Sequence, residues 1–435
     1  MSKTAKITYI FFIVCFISCR IQFAFSQDTN IKINSYDITL NLDSINNILS
    51  VSSNMEIEKS GAMDEIILLK NPYMSFKDIS IKSNLQDQLM KYEEIGKDTV
   101  KINLGKEFNS ENKFQIIFNY TLTKDSLSNG SIILYEWYPF IKNNIIKLKV
   151  RFNIPTDYWV FLSAGYKYIP VNEPVNTNRL ITLKEALPRL TLLMIKSNKY
   201  IHYDEKINEL GLDYYFFSKD TSVINKIITE TKNSIIFYNN LIGQCLYEHL
   251  NFIEIPDEQY INSQPGMVLM GSLFIDHFND GFNEWMAHET AHQWFGSGAQ
   301  ARYGERGNSC VFEPMAEYLK LMYLEHEFGE DTLNSRLENI IYEYSSTIYQ
   351  TDKDIPIIDG DAKRVVYLKG PYIMHKVRKL IGDSNWIKLL QNIYGSYKGI
   401  FFTYKDFCES LSKYDNSGTL INKFKDWMEH SGVPE

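Results

Sequence analysis

Apolar and polar residues alternate along most of residues 30–218, and β-branched and aromatic residues occupy many of the apolar positions. Alternation with a period of two predicts half-buried strands. The clearest segments are SYDITLNLD, NILSVSSNMEIE, DEIILLK, NKFQIIFNYTL, NIIKLKVRF and LTLLMIKS. Clusters of Asn, Asp, Ser and Gly between them predict turns. Many strands with short connections predict an antiparallel sandwich or a curved sheet.

The period of the pattern changes near residue 219. The segment KDTSVINKIITETKNSIIFYNNLIG has apolar residues at helical spacing, with Asp220 or Thr221 as its N-cap and Gly243 near its end. Two short strands follow in LNFIEIPD and GMVLMGSLFID, and the remaining chain is mostly helical in pattern. We therefore predict an α+β fold, with an N-terminal antiparallel β domain over residues 27–219 and a mostly helical domain over residues 220–435.

The first 26 residues form a segment of another kind. Lys3 and Lys6 precede the apolar run ITYIFFIVCFIS, and small residues follow in AFSQ. A charged start, a short apolar stretch and a site of small residues are typical of a signal peptide, here cleaved after Ser26. The alternative is a lipoprotein signal in FISC, which makes Cys19 a lipidated N-terminus. Both alternatives predict an exported protein, periplasmic, secreted or on the cell surface, and only lipidation of Cys19 predicts membrane attachment.

Composition and charge narrow the function classes. The chain has 435 residues, a formal net charge of −8 and no dense run of lysine and arginine, which argues against nucleic acid as the main partner. After cleavage at Ser26 the cysteines are Cys245, Cys310 and Cys408. Three widely spaced cysteines form neither a disulfide framework nor a zinc-knuckle pattern, so we expect buried or idle thiols.

Two of the eight histidines lie four residues apart in the stretch EWMAHETAHQWFG. Positions i and i+4 of a helix share one face, so His288 and His292 can both direct an imidazole at one metal ion. Glu289 projects from a neighbouring position, where it can hydrogen-bond a water at the metal. This is the HExxH arrangement, two ligands and a general base. The alternative is a polar face of an ordinary helix.

The next acidic segment, FEPMAEYLKLMYLEHEF, supplies a third ligand. We place the helix start at Glu313, since Pro314 suits a first turn. Glu317 then lies one turn further on the same side, where its carboxylate can hold the second ring nitrogen of a ligand histidine. Alone, both glutamates predict an ordinary acidic surface, but beside HExxH we favour metal binding. The sequence thus predicts one zinc ion (Zn2+) held by His288, His292 and Glu313, with a fourth position open for water.

The stretch HETAHQWFG followed by EPMAEYL resembles the gluzincin zinc metallopeptidases of the aminopeptidase N family, whose pattern is approximately HExxHxWFG, a spacer and NEGFAEY. VVYLKGPYIMHKVRKLIG resembles the YEKG stretch of that family, and SYDITLNLD and WMEHSGVPE resemble its two ends. The resemblance implies a thermolysin-like catalytic domain that hydrolyses peptide bonds in a peptide or protein substrate. It also implies Glu289 as general base and Tyr367 as the group that stabilises the oxyanion.

The chain departs from the family pattern in its spacing and its length. Twenty residues separate His292 from Glu313, two more than in the family, but strict spacing would put Val311 at the metal, which cannot bind it. The intervening segment is rich in glycine, so two additional residues cost little closure entropy. The C-terminal helical domain of the family is also absent from the sequence. That absence predicts a more open groove, unless a partner chain covers it.

A further departure concerns the GxMEN stretch of the family, whose glutamate holds the free amine of the substrate. The corresponding segment is QPGMVLMGSLF, in which Gly266, Met267 and Gly271 match and Val268 replaces that glutamate. A valine offers an ammonium group no charge. Endopeptidase or oligopeptidase action is therefore the alternative to aminopeptidase action. We expect these four residues at the substrate, with the strand around MVLMGSLF pairing with the substrate backbone as an added edge strand.

Two other function classes remain open. A branch of the family that hydrolyses epoxides shows that this scaffold also serves non-peptide substrates, although no residue here favours that function. A non-catalytic peptide-binding protein is the second class, and the presence of Glu289 argues against it, because a binding protein has no need of a general base. Side-chain preference, physiological substrate and oligomeric state are not predictable from these motifs.

Overall fold

The computed structural model describes residues 30–434 except positions 47, 84–86, 109, 124–130, 142–145, 156, 165–177, 187–189, 197–199, 218, 257–260, 281–282, 303–305, 308, 349–353, 361–363, 416–417 and 433. The signal segment, with Cys19 and Ser26, lies outside the described residues. The chain divides into two compact units, the second of which begins at Tyr200. Each unit has its own hydrophobic core. None of the helices in the described parts of the chain has the length and apolar character that crossing a membrane requires.

The described part of the first unit consists of strands and a short 3₁₀ helix at Lys106–Phe108. The strands are β1 Ile31–Asp43, β2 Ile48–Lys59, β3 Glu65–Leu69, β4 Met74–Lys82, β5 Asp87–Leu89, β6 Tyr92–Ile95, β7 Thr99–Asn103, β8 Lys113–Thr123, β9 Ser131–Leu134, β10 Ile146–Asn153, β11 Tyr158–Leu162, β12 Asn178–Ala186 and β13 Leu192–Lys196. All six segments with clear alternation are strands, so that prediction is confirmed.

The strands of the first unit form three sheets, with the orders β12-β10-β1-β2-β8-β4-β5, β11-β13-β9 and β3-β7-β6. β1 and β10 are parallel, and the other described pairings of this unit are antiparallel. In β8, every second residue from Phe114 to Leu122 is buried. This alternation places one face of the strand in the core, and each buried large apolar side chain contributes about 1.5–3 kcal/mol.

The second unit combines a mixed sheet with helices. Its strands are β14 Ile201–Ile207, β15 Leu210–Phe216, β16 His249–Ile255, β17 Ile261–Gln264, β18 Met267–Gly271, β19 Phe295–Gly296, β20 Ala299–Ala301 and β21 Phe401–Phe402. Its helices are α1 Thr221–Leu241, α2 Ser272–Asp276, α3 Asn283–Ala291, α4 Ser309–Phe328, α5 Glu330–Ile348, α6 Arg364–Ile381, α7 Asp383–Tyr397, α8 Tyr404–Ser412 and α9 Leu420–Glu429, with 3₁₀ helices at Phe278–Asp280 and Ile357–Asp359.

The main sheet of this unit has the order β14-β15-β16-β18-β17, and β16 runs parallel to both of its neighbours. The hairpin of β14 and β15 belongs to this sheet because β15 pairs with β16. The structural division at Tyr200 therefore lies before this hairpin, whereas the change of pattern that predicted a boundary at residue 219 marks the start of α1. The side chain of Asp220 caps α1 by accepting from the backbone N–H of Ser222 at 2.9 Å.

Helix α4 begins earlier than the sequence predicts. It starts at Ser309, so Pro314 is inside the helix and not in its first turn. Proline has no N–H, so the carbonyl of Cys310 lacks its usual intrahelical donor. The residues of the additional turn, Cys310, Val311 and Phe312, are at most 3% exposed. Their burial in the core favours the helical turn despite the proline.

Candidate metal centre

Helix α3 presents both histidines of the motif on one face. The helix ends at Ala291, but the backbone N–H of His292 still donates to the carbonyl of His288 at 3.3 Å. His292 therefore keeps the helical position that places it one turn after His288. His288 is 2% exposed and His292 is 9% exposed, so both rings are shielded from bulk water.

Three ligand atoms from α3 and α4 meet at one point. The Nε2 atoms of His288 and His292 are 3.2 Å apart, and the Glu313 Oε2 atom lies 3.5 Å from the first and 3.2 Å from the second. A tetrahedral zinc site with bonds of 2.0–2.1 Å has ligand atoms about 3.3 Å apart. The described residues contain this one group of three side chains that could hold a metal ion. Its donor types and its spacing both fit zinc.

The second nitrogen of each histidine also has a partner. His288 Nδ1 is 2.8 Å from Glu317 Oε2, as the sequence predicts. His292 Nδ1 donates to the carbonyl of Phe295 at 3.0 Å. These bonds place the proton on Nδ1 and direct both Nε2 lone pairs at the common point. The Phe295 carbonyl was not predicted, because a backbone group leaves no mark in the sequence.

Burial and opposite charges compete over the ionisation of this cluster. Burial disfavours protonation of both histidines, but nearby carboxylates outweigh it: Glu313 and Glu317 raise the pKa of His288 to about 10, and Glu313 raises the pKa of His292. Burial likewise opposes ionisation of Glu313, yet the two histidines hold the pKa of its carboxyl well below the usual range. Without a metal, the site favours protons on the imidazole nitrogens that face the carboxylates.

Glu289 lies beside the metal ligands. Its side chain is 7% exposed, and burial raises the pKa of its carboxyl, while the imidazoles of His288 and His292 and the backbone N–H of Ser263 act in the opposite direction. A buried carboxyl with a raised pKa is suited to accept and return a proton. Ser263 belongs to β17, so this strand passes directly beside Glu289.

Tyr367 lies on α6, half-buried. The centroid of its ring is 6.1 Å from that of His288. The structure thus brings together five of the residues that the motifs singled out, although they lie on three different helices. These residues are His288, Glu289, His292, Glu313 and Tyr367.

The segment that was expected to contact the substrate lies inside the sheet and not at its edge, where the sequence predicted it. β18 is paired with β16 on one side and with β17 on the other, so it cannot receive a substrate as an added edge strand. On this side of the sheet, the outermost strand in the described residues is β17. Val268 and Met270 belong to the hydrophobic core, and Met267 is 1% exposed.

Gln293 joins this hairpin to the histidine helix. Its fully buried amide accepts from the backbone N–H of Gly266 at 2.9 Å and donates to Ser263 Oγ at 2.6 Å and to the Gln264 carbonyl at 3.0 Å. Gly266 occupies the turn with a φ of 65°, which favours glycine, and Gly271 ends β18. Gln293 directly follows His292, so the turn and β17 are positioned by the same helix that carries the ligands.

The sequence is similar to curated aminopeptidases, although no protein-family model matches it. It is 22% identical over 330 residues to the probable aminopeptidase 2 of Sulfurisphaera tokodaii, an alignment that covers 70% of this chain and 41% of that protein. It is 24% identical over 162 residues to aminopeptidase N of Lactococcus lactis, covering 34% and 18%. The chain thus spans less than half the length of these relatives.

The fold is similar to that of solved M1 peptidases. The M1 zinc metallopeptidase of Deinococcus radiodurans aligns over 93% of this chain and 95% of its own, with a TM-score of 0.68 and 13% identity. The yeast LTA4 hydrolase aligns over 93% of this chain and 69% of its own, with a TM-score of 0.72 and 12% identity. The chain has the mixed fold of these proteins, with an N-terminal β-sheet region and a helical C-terminal part. These similarities show the fold, and the His–His–Glu cluster within it fits a zinc ion.

Proposed function

We propose that this protein is a zinc-dependent gluzincin metallopeptidase of the aminopeptidase N type, with a thermolysin-like catalytic unit. The observation that carries the proposal is the convergence of His288, His292 and Glu313 within 3.2–3.5 Å, with Glu289 buried beside them. Both curated relatives are named as aminopeptidases, which supports a peptide as the substrate. A zinc ion bound at this cluster would supply Lewis-acid polarisation of the scissile carbonyl and lower the pKa of a water.

The residues of the chain carry out the proton transfers. Glu289 accepts a proton from the attacking water and then returns it to the departing amine. Its raised pKa suits both steps, because burial favours the neutral carboxyl that holds the proton between them. The hydroxyl group of Tyr367 donates to the oxygen that gains negative charge during attack. The ring position beside His288 supports this role for Tyr367.

The position at which the substrate is cleaved depends on which residue of the protein binds the free amine at the N-terminus of the substrate. Val268 replaces the glutamate of the GxMEN stretch and packs in the hydrophobic core, so its side chain offers no charge to an N-terminus. This observation favours endopeptidase or oligopeptidase action as the second candidate. In both cases we propose β17 as the strand beside which the substrate lies, since Ser263 of β17 contacts Glu289.

We also propose that the protein is exported. The proposal is supported by the charged start, the short apolar run and the small residues before Gln27. The mass of the first residues of the mature protein tests it. An N-terminus at Gln27 is expected after cleavage by signal peptidase, a lipid-modified Cys19 indicates the lipoprotein alternative, and an unprocessed Met1 would contradict export.

The proposed activity is tested with zinc-loaded protein that begins at Gln27 and with its Glu289→Gln and Tyr367→Phe variants. Each receives one defined peptide, either with a free N-terminus or acetylated, and the products are measured by mass spectrometry. We expect zinc-dependent cleavage by the original protein, no detectable cleavage by Glu289→Gln, and a loss of about 10²–10³-fold in kcat for Tyr367→Phe. Both variants should bind zinc, because neither replaced group is a ligand.

Matched controls separate chemistry from folding. Glu209→Gln and Tyr342→Phe change the same residue types at sites with 98% and 75% exposure, and both should leave the activity unchanged. Removal of only the first residue, blocked by acetylation, assigns aminopeptidase action, whereas internal cuts that are insensitive to acetylation assign endopeptidase action. Stoichiometric zinc without cleavage of this or a broad peptide pool would refute the peptidase and favour a binding protein or a hydrolase of other substrates.

A further inference from the structure

A buried cation lies behind the metal ligands. Lys320 is 7% exposed and lies on α4, seven residues after Glu313 and therefore on the same helical face. Its ammonium donates to Glu317 Oε1. A lysine is rarely buried to this degree unless it is paired, because removing a charge from water is costly. The burial of Lys320 therefore needs a compensating interaction, and Glu317 supplies one.

Lys320 belongs to a closed ring of four side chains from α3 and α4. Glu317 uses its other oxygen, Oε2, for His288 Nδ1 at 2.8 Å. The His288 ring meets the ring of Trp285 edge-on, with centroids 5.7 Å apart. The Lys320 ammonium lies 5.2 Å from the centroid of the same Trp285 ring, in cation–π geometry. Each member of the ring thus contacts two others, and one member is a metal ligand.

The two oxygens of Glu317 have separate partners, one cation and one ligand histidine. If Lys320 lost its charge, Oε1 would be a buried oxygen without a cation, and the carboxyl would rotate towards another donor or bind a proton. Either change weakens the bond that orients the His288 ring.

We propose that Lys320 is a positioning residue for the metal centre, acting through Glu317 on His288 and held in place by Trp285. This inference rests on the proposed function, because it assumes that His288, His292 and Glu313 bind a metal. It assigns to Lys320 a role that the HExxH and glutamate motifs do not contain. The fixed cation holds the Glu317 carboxylate with its second oxygen directed at Nδ1, so that Nε2 of His288 points at the metal.

The test measures metal binding and not peptide cleavage. Lys320→Met, Glu317→Gln and the double variant are compared with the original protein by competition for zinc with a chromophoric chelator at pH 7. Absorption spectra of the cobalt-loaded proteins report the ligand geometry. We expect Lys320→Met to weaken zinc binding about tenfold or more and to change the cobalt spectrum, since partners of ligand histidines affect affinity by about 10–100-fold.

The double variant distinguishes action through Glu317 from an independent effect. If Lys320 acts through Glu317, zinc binding by the double variant is no weaker than by Glu317→Gln alone. Losses that add, or a Lys320→Met protein with unchanged affinity and spectrum, would overturn the inference. Lys405→Met, which removes a lysine 84% exposed on α8, should change neither quantity. Failure of the original protein to bind zinc would instead refute the proposed function itself.

A merely structural role of Lys320 gives a different result. In that case the thermal unfolding temperature of the metal-free protein falls, while the zinc affinity of the folded fraction stays the same. Should Lys320→Met fold poorly, the double variant provides the comparison, because it removes both buried charges together. Its affinity is then compared with that of Glu317→Gln, and a further loss overturns the inference.

Discussion

His288 has a carboxylate at each ring nitrogen. Glu317 lies 2.8 Å from Nδ1, and Glu313 lies 3.5 Å from Nε2, where a metal would also bind. A protonated imidazole satisfies both carboxylates, whereas a metal ion needs the Nε2 lone pair. Protons and zinc therefore compete for the same atom. A metal ion must therefore displace the proton from Nε2 before it can bind His288.

We predict that zinc binding releases between one and two protons at pH 7. The pKa values of His288 and His292 are raised in the metal-free site, because nearby carboxylates outweigh the effect of burial. His288, whose pKa is raised to about 10, therefore holds a proton at neutral pH, and the raised pKa of His292 favours a proton on that ring as well. Metal binding removes these protons from Nε2. The affinity for zinc therefore rises with pH as long as the pH is below these raised pKa values.

Calorimetric titration with zinc in two buffers of different ionisation enthalpy measures this release. The observed heat should differ between the buffers in proportion to the protons released. Glu317→Gln removes one of the carboxylates that raise the pKa of His288, so this variant should release fewer protons at pH 7. Equal heats in both buffers would show that the histidines are already neutral and contradict the prediction.

At the scale of elements, α4 and α6 are in close contact between Pro314 and Gly370. A Cβ atom added at Gly370 would lie 2.4 Å from Pro314 Cγ and 2.7 Å from Pro314 Cβ. Pro314 directly follows the ligand Glu313, and Gly370 follows Tyr367 by three residues. The absence of a side chain at Gly370 therefore allows the helix that carries Tyr367 to lie close to the helix that carries Glu313.

We predict that Gly370→Ala lowers kcat by about 10–100-fold, because the added methyl group pushes the helices apart and displaces Tyr367 from the reacting carbonyl. Overpacking should also reduce the free energy of unfolding by about 1–3 kcal/mol. Peptide cleavage assays and denaturant unfolding measure the two effects. Gly395→Ala on α7 is the control, since a Cβ there has no neighbour within 4 Å.

The control should stabilise the protein by about 0.5–1 kcal/mol without affecting kcat, because alanine is the better helix former. A Gly370→Ala protein with full activity would mean that α6 shifts without moving Tyr367, and the crossing would then have no role in catalysis. Loss of activity in Gly395→Ala would show that the assay reports general damage to the helices.

At the scale of the molecule, the metal ligands all lie in the second unit. His288 is on α3, His292 directly follows its last residue and Glu313 is on α4. The core of this unit is separate from that of the first. Zinc stabilises only the state that presents all three ligands together. At free zinc 1,000-fold above the dissociation constant, the stabilisation is about 4 kcal/mol.

We predict that removing zinc with a chelator reduces hydrogen-exchange protection in α3, α4 and α6, while the strands of the first unit keep theirs. The reason is that local opening of the ligand helices no longer has to break metal bonds. Exchange measured by mass spectrometry, with and without chelator, checks this. His292→Ala should already show the chelated pattern in the presence of zinc. An equal loss of protection in β1–β13 would contradict the prediction.

The sequence predicted the structural features that depend on residues close to one another in the chain. Alternation in β1, β2 and β8 and the cap of α1 at Asp220 are local signals, and the structure confirms them. His288 and His292 meet because a helix alone brings positions i and i+4 together. Glu313 was predicted as the third ligand because it begins the next acidic segment after HExxH, and its likeness to a family pattern supported that choice. Twenty residues of intervening chain do not by themselves determine where it lies.

Only the tertiary structure decided the contacts between distant segments. It paired β1 with β10 in parallel, placed β17 outside β18 and extended α4 past Pro314. It also placed Lys320 and Trp285 behind His288. These arrangements result from packing whole faces of helices and sheets. The net free energy of that packing is only about 0.05–0.15 kcal/mol per residue, and no local pattern records it. The sequence by itself thus determined the ligand types and the strands, and packing determined which of them meet.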